Sequence, residues 1–254
     1  MPDAPLPRGY AICSEHRSGS TLLCRLLAST GKLGRPDEFF RHTEFSHRLE
    51  REPALLAEVR ARASTPNGVY GIKLFTQQFD VTAKARWTER LPGLFFVHLE
   101  RRDLLGQAIS LARALQTEQY VAEEASRREP RYDRRLIARH LGRIADGHAR
   151  WRRFFARNGI EPVWLVYEEL VADPQAAVDA IARRAMLREP APIAPGVLGM
   201  AVQRDRLSEE WRARFVAKAG DLGYLDHPLG RSRVWLRRLA RDVGHRGRAL
   251  SGRR

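Results

Sequence analysis

Short apolar runs alternate with longer amphipathic ones along this chain. Tyr10 to Cys13, Val69 to Phe75, Leu94 to Leu99 and Pro162 to Tyr167 are too short for helices and read as buried strands. Between them the hydrophobic period lengthens. From Ser20 the residues Leu22, Leu23, Leu26 and Leu27 fall on one side of a helix that should stop at Gly31. Residues 43–64 are polar with scattered Leu and Val and predict one exposed helix, closed by the turn Ser64-Thr65-Pro66-Asn67-Gly68. Asp103 is placed to cap a helix carrying Leu104, Leu105, Ala108, Ile109 and Leu111. Arg131 to Asn158 predicts a long core-packing helix without chemistry, ending at Gly159, and Asp173-Pro174 opens another that runs to about Leu187. The stretch Ala191 to Gly199 reads as a surface loop, and Ser208 as the cap of a last helix. Strand and helix in alternation imply an α/β fold, a parallel sheet flanked by helices on both faces.

The length changes this picture little: 254 residues suffice for one good core, and no linker interrupts the middle. We expect one domain over 1–228 and a basic C-terminal extension over 229–254. That extension clusters Val234, Trp235, Leu236 and Leu239 among arginines, so it is either a solvated tail or a peripheral contact for anionic membrane. The N-terminus has no signal-peptide core, and no run approaches the roughly 18 apolar residues of a span, so a cytoplasmic location is the expectation. Cys13 and Cys24 match no zinc spacing and are expected to be buried thiols.

A net charge of +15 raises the question of nucleic acid. Of 45 basic residues only four are lysines, the arginines are spread over helix faces, and no nucleic-acid-binding signature is present. No specific nucleic-acid partner is expected. A small polyanionic ligand would profit from the same field.

The chemistry concentrates after the first strand, in Ser14-Glu15-His16-Arg17-Ser18-Gly19-Ser20-Thr21. Gly19 permits a tight turn and close backbone approach, Ser18, Ser20 and Thr21 offer hydroxyls, and the first N–H groups of the helix face the turn. Arg17 adds a forked cationic donor suited to tetrahedral oxyanions. The same residues also make an ordinary strand-to-helix turn capped by Ser. Downstream, Glu38 beside Phe39 and Phe40 is a candidate general base whose aromatic neighbours would raise its basicity, or else a cap carboxylate beside two core rings. Lys73 on the second strand is either a point contact for a transferring group or a lysine snorkelling off the sheet edge. Arg101, at the end of the third strand, with Ser110 on the following helix, repeats the logic of the first cradle. Strand ends of an open α/β sheet share one crevice, so Arg17, Lys73 and Arg101 should meet.

The cradle lacks the first Gly and the Lys of a nucleoside-triphosphate P-loop, and no acidic strand end suits magnesium. Metal-free transfer from 3′-phosphoadenosine 5′-phosphosulfate (PAPS) fits better. The chain resembles the PAPS-dependent sulfotransferases, most closely the bacterial trehalose 2-sulfotransferase family, through residues 14–23, Pro36 to Phe40, Thr65 to Leu74, His98 to Asp103, Gln107 to Ser110, Arg113 to Thr117 and Ser208 to Trp211. The resemblance implies a P-loop-like sulfotransferase fold. It implies Glu38 as base with Arg17 and Lys73 catalytic, and a 5′-phosphosulfate on Arg17, Ser18, Gly19, Ser20 and Thr21. Arg101 and Ser110 would hold the 3′-phosphate, with no metal, and the acceptor would be a carbohydrate or glycolipid. Phe75 stands where eukaryotic cytosolic relatives commonly carry a histidine base, which favours Glu38. Arg35, Arg102 and Thr76 depart from the family pattern in regions expected on the acceptor side. A homodimer is a candidate assembly. The alternatives are a non-catalytic polyanion binder and a P-loop small-molecule kinase.

Overall fold

The computed structural model describes residues 8–41, 48–49, 52, 54–91, 93–118, 128–197 and 206–218. By packing, residues 1–212 form one compact unit and 213–254 another, of which only 213–218 are described. The expected division at residue 228 and the basic tail lie outside the described residues.

Strands β1 (Gly9–Ser14), β2 (Tyr70–Phe75), β3 (Leu94–Glu100) and β4 (Val163–Val166) form one parallel sheet in the order β2-β1-β3-β4. Register places Ile12 between Lys73 on one side and Val97 on the other. The helices are α1 (Ser20–Ser29), α2 (Ala54–Ala63), α3 (Thr76–Thr82), α4 (Trp87–Arg90), α5 (Leu104–Thr117), α6 (Arg134–Arg157), α7 (Tyr167–Ala172), α8 (Pro174–Arg184) and α9 (Arg206–Val216).

Alternation along β1 divides the core. Tyr10 and Ile12 pack with Leu23, Leu26 and Leu27 of α1 and Val178 and Ile181 of α8, whereas Ala11 and Cys13 face α2 and the aromatic side of α6, Trp151 and Phe155. Helices therefore cover both faces, as predicted. Both cysteines are buried and free. Asp103 caps α5 by accepting from Gly106 N at 2.9 Å, and Asp173 caps α8.

Two expectations are corrected. The described part of 43–64 is not an exposed helix: α2 buries Leu55, Leu56, Val59 and Ala63 in the core, because its few apolar residues fall on one stripe. Ser208 is no cap; it sits inside α9 and accepts from Arg113 Nη1 at 2.6 Å. After Phe75 the chain forms α3 and α4, whose packing rests on Phe79 and Trp87 rather than on a long period. Among the described residues, no helix is long and apolar enough to cross a membrane.

Candidate active site

The chain leaves β1 toward β2 on one side and returns to β3 on the other, so a crevice opens at the carboxyl end of β1. The turn from Glu15 to Gly19 fills it. Ser18 N donates to Glu15 O at 3.3 Å, and Arg17 and Gly19 both take positive φ, 63° and 91°. Such a backbone curls successive N–H groups into an anion-binding concavity, next to the unpaired N–H groups that open α1. Gly19 is required here for a second reason: a Cβ would sit 2.3 Å from the Tyr167 ring. Gly19 is also the N-cap residue, with no side-chain cap, so the reading of a Ser-capped turn fails. Ser18 is wholly buried with its hydroxyl unbonded among the described residues, Ser20 is buried, and Thr21 is exposed at the mouth.

Two guanidiniums border this turn. Arg17 Nε donates to Ser110 Oγ at 2.9 Å, which joins the first cradle directly to α5. Burial, followed by the neighbouring charge of Arg101, holds the Arg17 guanidinium below its ordinary range. Arg101 lies with Cζ 4.8 Å over the Tyr167 ring, and its buried Nε has no hydrogen-bond partner among the described residues. Its nearest carboxylate, Asp103, is 3.7 Å away and is claimed by Arg212, whose Nη2 reaches both Asp103 oxygens at 2.6 Å. Two arginines that repel each other, one with an unpartnered donor, are the donor set an oxyanion would take.

Glu38 arrives by an extension of the sheet. Lys73 N donates to Asp37 O at 2.9 Å, in a bridge that pairs Asp37 with Ile72 and sets the next residue beside the Lys73 side chain. Lys73 Nζ lies 2.7 Å from Glu38 Oε1 and donates to Thr21 Oγ1 at 3.3 Å; Gln78 Nε2 donates to Glu38 Oε2 at 3.2 Å. Lys73 is thus buried at 4% exposure and does not snorkel. Phe39 and Phe40 do not raise the basicity of Glu38. Phe40 packs on Trp87 in the core and Phe39 lies under Arg62. Burial alone would raise the Glu38 carboxyl, but Lys73, together with the Gln78 hydrogen bond and His16, holds the group below the usual carboxylate range.

The structure therefore unites Arg17, Gly19, Thr21, Glu38, Lys73, Arg101 and Ser110 around one turn. Sequence reasoning missed Gln78, Tyr167, Arg212 and Glu15. Tyr167 was within reach of the strand-end rule that selected Arg101. Glu15 lies inside the motif but is buried, its Oε1 accepting from Thr76 Oγ1 at 2.8 Å and its carboxyl seated where a Cβ on Gly147 of α6 would be 2.3 Å away. Burial, only partly offset by those Thr76 bonds, pushes Glu15 up to about 7. Of the departures from the family pattern, Thr76 is spent on Glu15 and Arg102 pairs with Glu169, so neither side chain is positioned to read an acceptor; Arg35 is exposed.

A parallel sheet with a glycine-bearing turn between its first strand and the following helix is an α/β frame that many unrelated activities share. The Stf0 sulphotransferase family model matches residues 9–218, and the chain belongs to that family. It is 29% identical over 269 residues to a trehalose 2-sulfotransferase of Mycobacterium tuberculosis, covering 85% of this chain and 97% of that protein. A trehalose 2-sulfotransferase of Mycolicibacterium smegmatis is 26% identical over 257 residues, covering 82% and 94%. Among solved structures, the sulfotransferase domain from the curacin biosynthetic pathway aligns with a TM-score of 0.45 at 19% identity, over 79% of this chain and 80% of that one.

Proposed function

We propose that this sulfotransferase moves the sulfuryl group of PAPS to a hydroxyl of a carbohydrate acceptor, with Glu38 as general base. The acceptor oxygen attacks sulfur in line, its proton passes to Glu38, and the bond between sulfur and the bridging oxygen breaks, that oxygen leaving with its electron pair on 3′-phosphoadenosine 5′-phosphate. The backbone of Ser18, Gly19, Ser20 and Thr21 holds the 5′-phosphosulfate. Arg17 and Lys73 take up charge on the departing and non-bridging oxygens, and Arg101 with Ser110 borders the 3′-phosphate. The observation that carries the reading is the Glu38–Lys73–Thr21 chain, with its 2.7 Å and 3.3 Å links, which puts a carboxylate beside an anion cradle. The acceptor class rests on the trehalose enzymes of the two relatives, and the same reading treats residues 1–228 as the catalytic domain.

The test is transfer of labelled sulfate from PAPS to a panel of disaccharides, glycans and glycolipids. Transfer to at least one of them, lost in Arg17→Ala, is the expected result. PAPS binding with no transfer to any hydroxyl acceptor would return the polyanion-binding reading, and phosphate transfer from a nucleoside triphosphate would return the kinase.

A further inference from the structure

On the face of β3 that meets α6, three side chains converge, and two of them, His98 and His148, carry buried nitrogens without hydrogen-bond partners among the described residues. His98 and Glu100 are two residues apart on β3 and so share a face; His148 comes from α6. Their potential ligand atoms all lie within 4.8 Å of one another, and His98 Nε2 is 3.8 Å from Glu100 Oε2, beyond hydrogen-bonding reach.

His98 is completely buried and His148 is 6% exposed. His98 Nδ1 is 3.0 Å from the Cys13 carbonyl, which can only accept, so Nδ1 carries a proton and Nε2 is the nitrogen left to serve as a ligand. That nitrogen has no partner among the described residues, and neither does either nitrogen of His148. Buried unpaired polar atoms each cost on the order of 1–3 kcal/mol, and an ion held between His98 Nε2 and one nitrogen of His148 would satisfy two of them.

We infer that His98 Nε2, His148 and Glu100 form a site for a divalent transition ion of the zinc class. Two neutral imidazoles and one carboxylate are the donors zinc takes, with a fourth position left for water. The supporting contacts fit as well. A ligating histidine commonly donates its other N–H to a backbone carbonyl, as His98 does to Cys13, and ligating carboxylates are themselves hydrogen-bonded. Arg152 Nη2 holds both Glu100 oxygens at 2.8 Å while its guanidinium lies over Trp164, and each oxygen keeps a second lone pair for the ion. Glu100 is 26% exposed and Trp164 is 45% exposed, which leaves an entry path from the β4 edge. The ion would fasten α6 to β3 just before Arg101 and takes no part in sulfuryl transfer.

The experiment is zinc titration by calorimetry into the full chain after dialysis against a chelator, with cobalt(II) uptake followed by its visible spectrum. One equivalent of zinc, a raised melting temperature and the intense bands of low-symmetry four-coordinate cobalt are expected. His148→Ala should weaken zinc by at least the roughly 10–100-fold that loss of a supporting group costs. Absence of zinc uptake by the wild-type chain overturns the site, and so does equal uptake by wild type and His148→Ala. Should His148→Ala fail to fold, the wild-type cobalt spectrum decides: six-coordinate, weakly absorbing cobalt also overturns it.

Discussion

Glu38 and Lys73 are coupled tightly enough that replacing one exposes the other. Glu38→Gln should lower turnover by roughly two to four powers of ten, and it should also leave the Lys73 ammonium buried without its counter-charge, at a cost of about 3 kcal/mol. Loss of stability alone therefore does not separate a base from a structural ion pair. Glu38→Gln/Lys73→Met removes both charges: its melting temperature should recover while turnover stays low, and recovery of both would mean the pair only holds the fold. Glu15 makes a second prediction at this scale. Its folded value of about 7 lies above the ordinary value of an unfolded glutamate, so between the two the folded state binds the extra proton and stability falls as pH rises. The loss, roughly 3 kcal/mol at most, is complete above the folded value. Glu15→Gln keeps an acceptor for Thr76 but cannot ionise, so the change in melting temperature between about pH 5 and 7 should shrink; an unchanged slope would place the titration elsewhere.

Between elements, the decisive contact is the one α9 makes with the start of α5. Arg212 occupies both oxygens of Asp103, which would otherwise neutralise Arg101 3.7 Å away. Arg212→Met should let Asp103 draw Arg101 in and weaken binding of 3′-phosphorylated nucleotide about tenfold, with little effect on the 3′-dephospho analogue. Adding Asp103→Asn, which still caps α5, should restore affinity, since asparagine caps as well as aspartate but carries no charge. Calorimetry on the single and double variants checks this, and equal losses for both nucleotides would remove Arg101 from the 3′-phosphate. The Asp103 cap was legible, since it stands directly before a periodic apolar run, and the helix start at Asp173-Pro174 falls where it was expected. The Arg212 contact was not, because it joins residues 109 apart in sequence through no repeating pattern.

For the whole molecule, the sheet order brings two arginine-bearing strand ends to one crevice, so the protein itself neutralises the anion. PAPS or its bisphosphate product should bind equally with and without added magnesium, and at 100 times Kd should stabilise the fold by about 2.7 kcal/mol; strict magnesium dependence in calorimetry would count against the assignment. Strand, helix and turn periods lie within single stretches of chain, and so does the cradle, since a strand, Arg17, Gly19 and a helix start are contiguous. Those the sequence determined by itself, together with the parallel α/β class. What the tertiary structure alone decided are the interactions between strands and helices distant in sequence. Lys73 paired with Glu38 instead of reaching solvent, because the Asp37 bridge delivered a carboxylate to a buried ammonium, and the net effect lowered Glu38 where its aromatic neighbours had suggested a rise. Tyr167 came to cover Gly19, and Gly147 made room for Glu15, since close approach depends on which backbones packing brings together and leaves no period in the sequence.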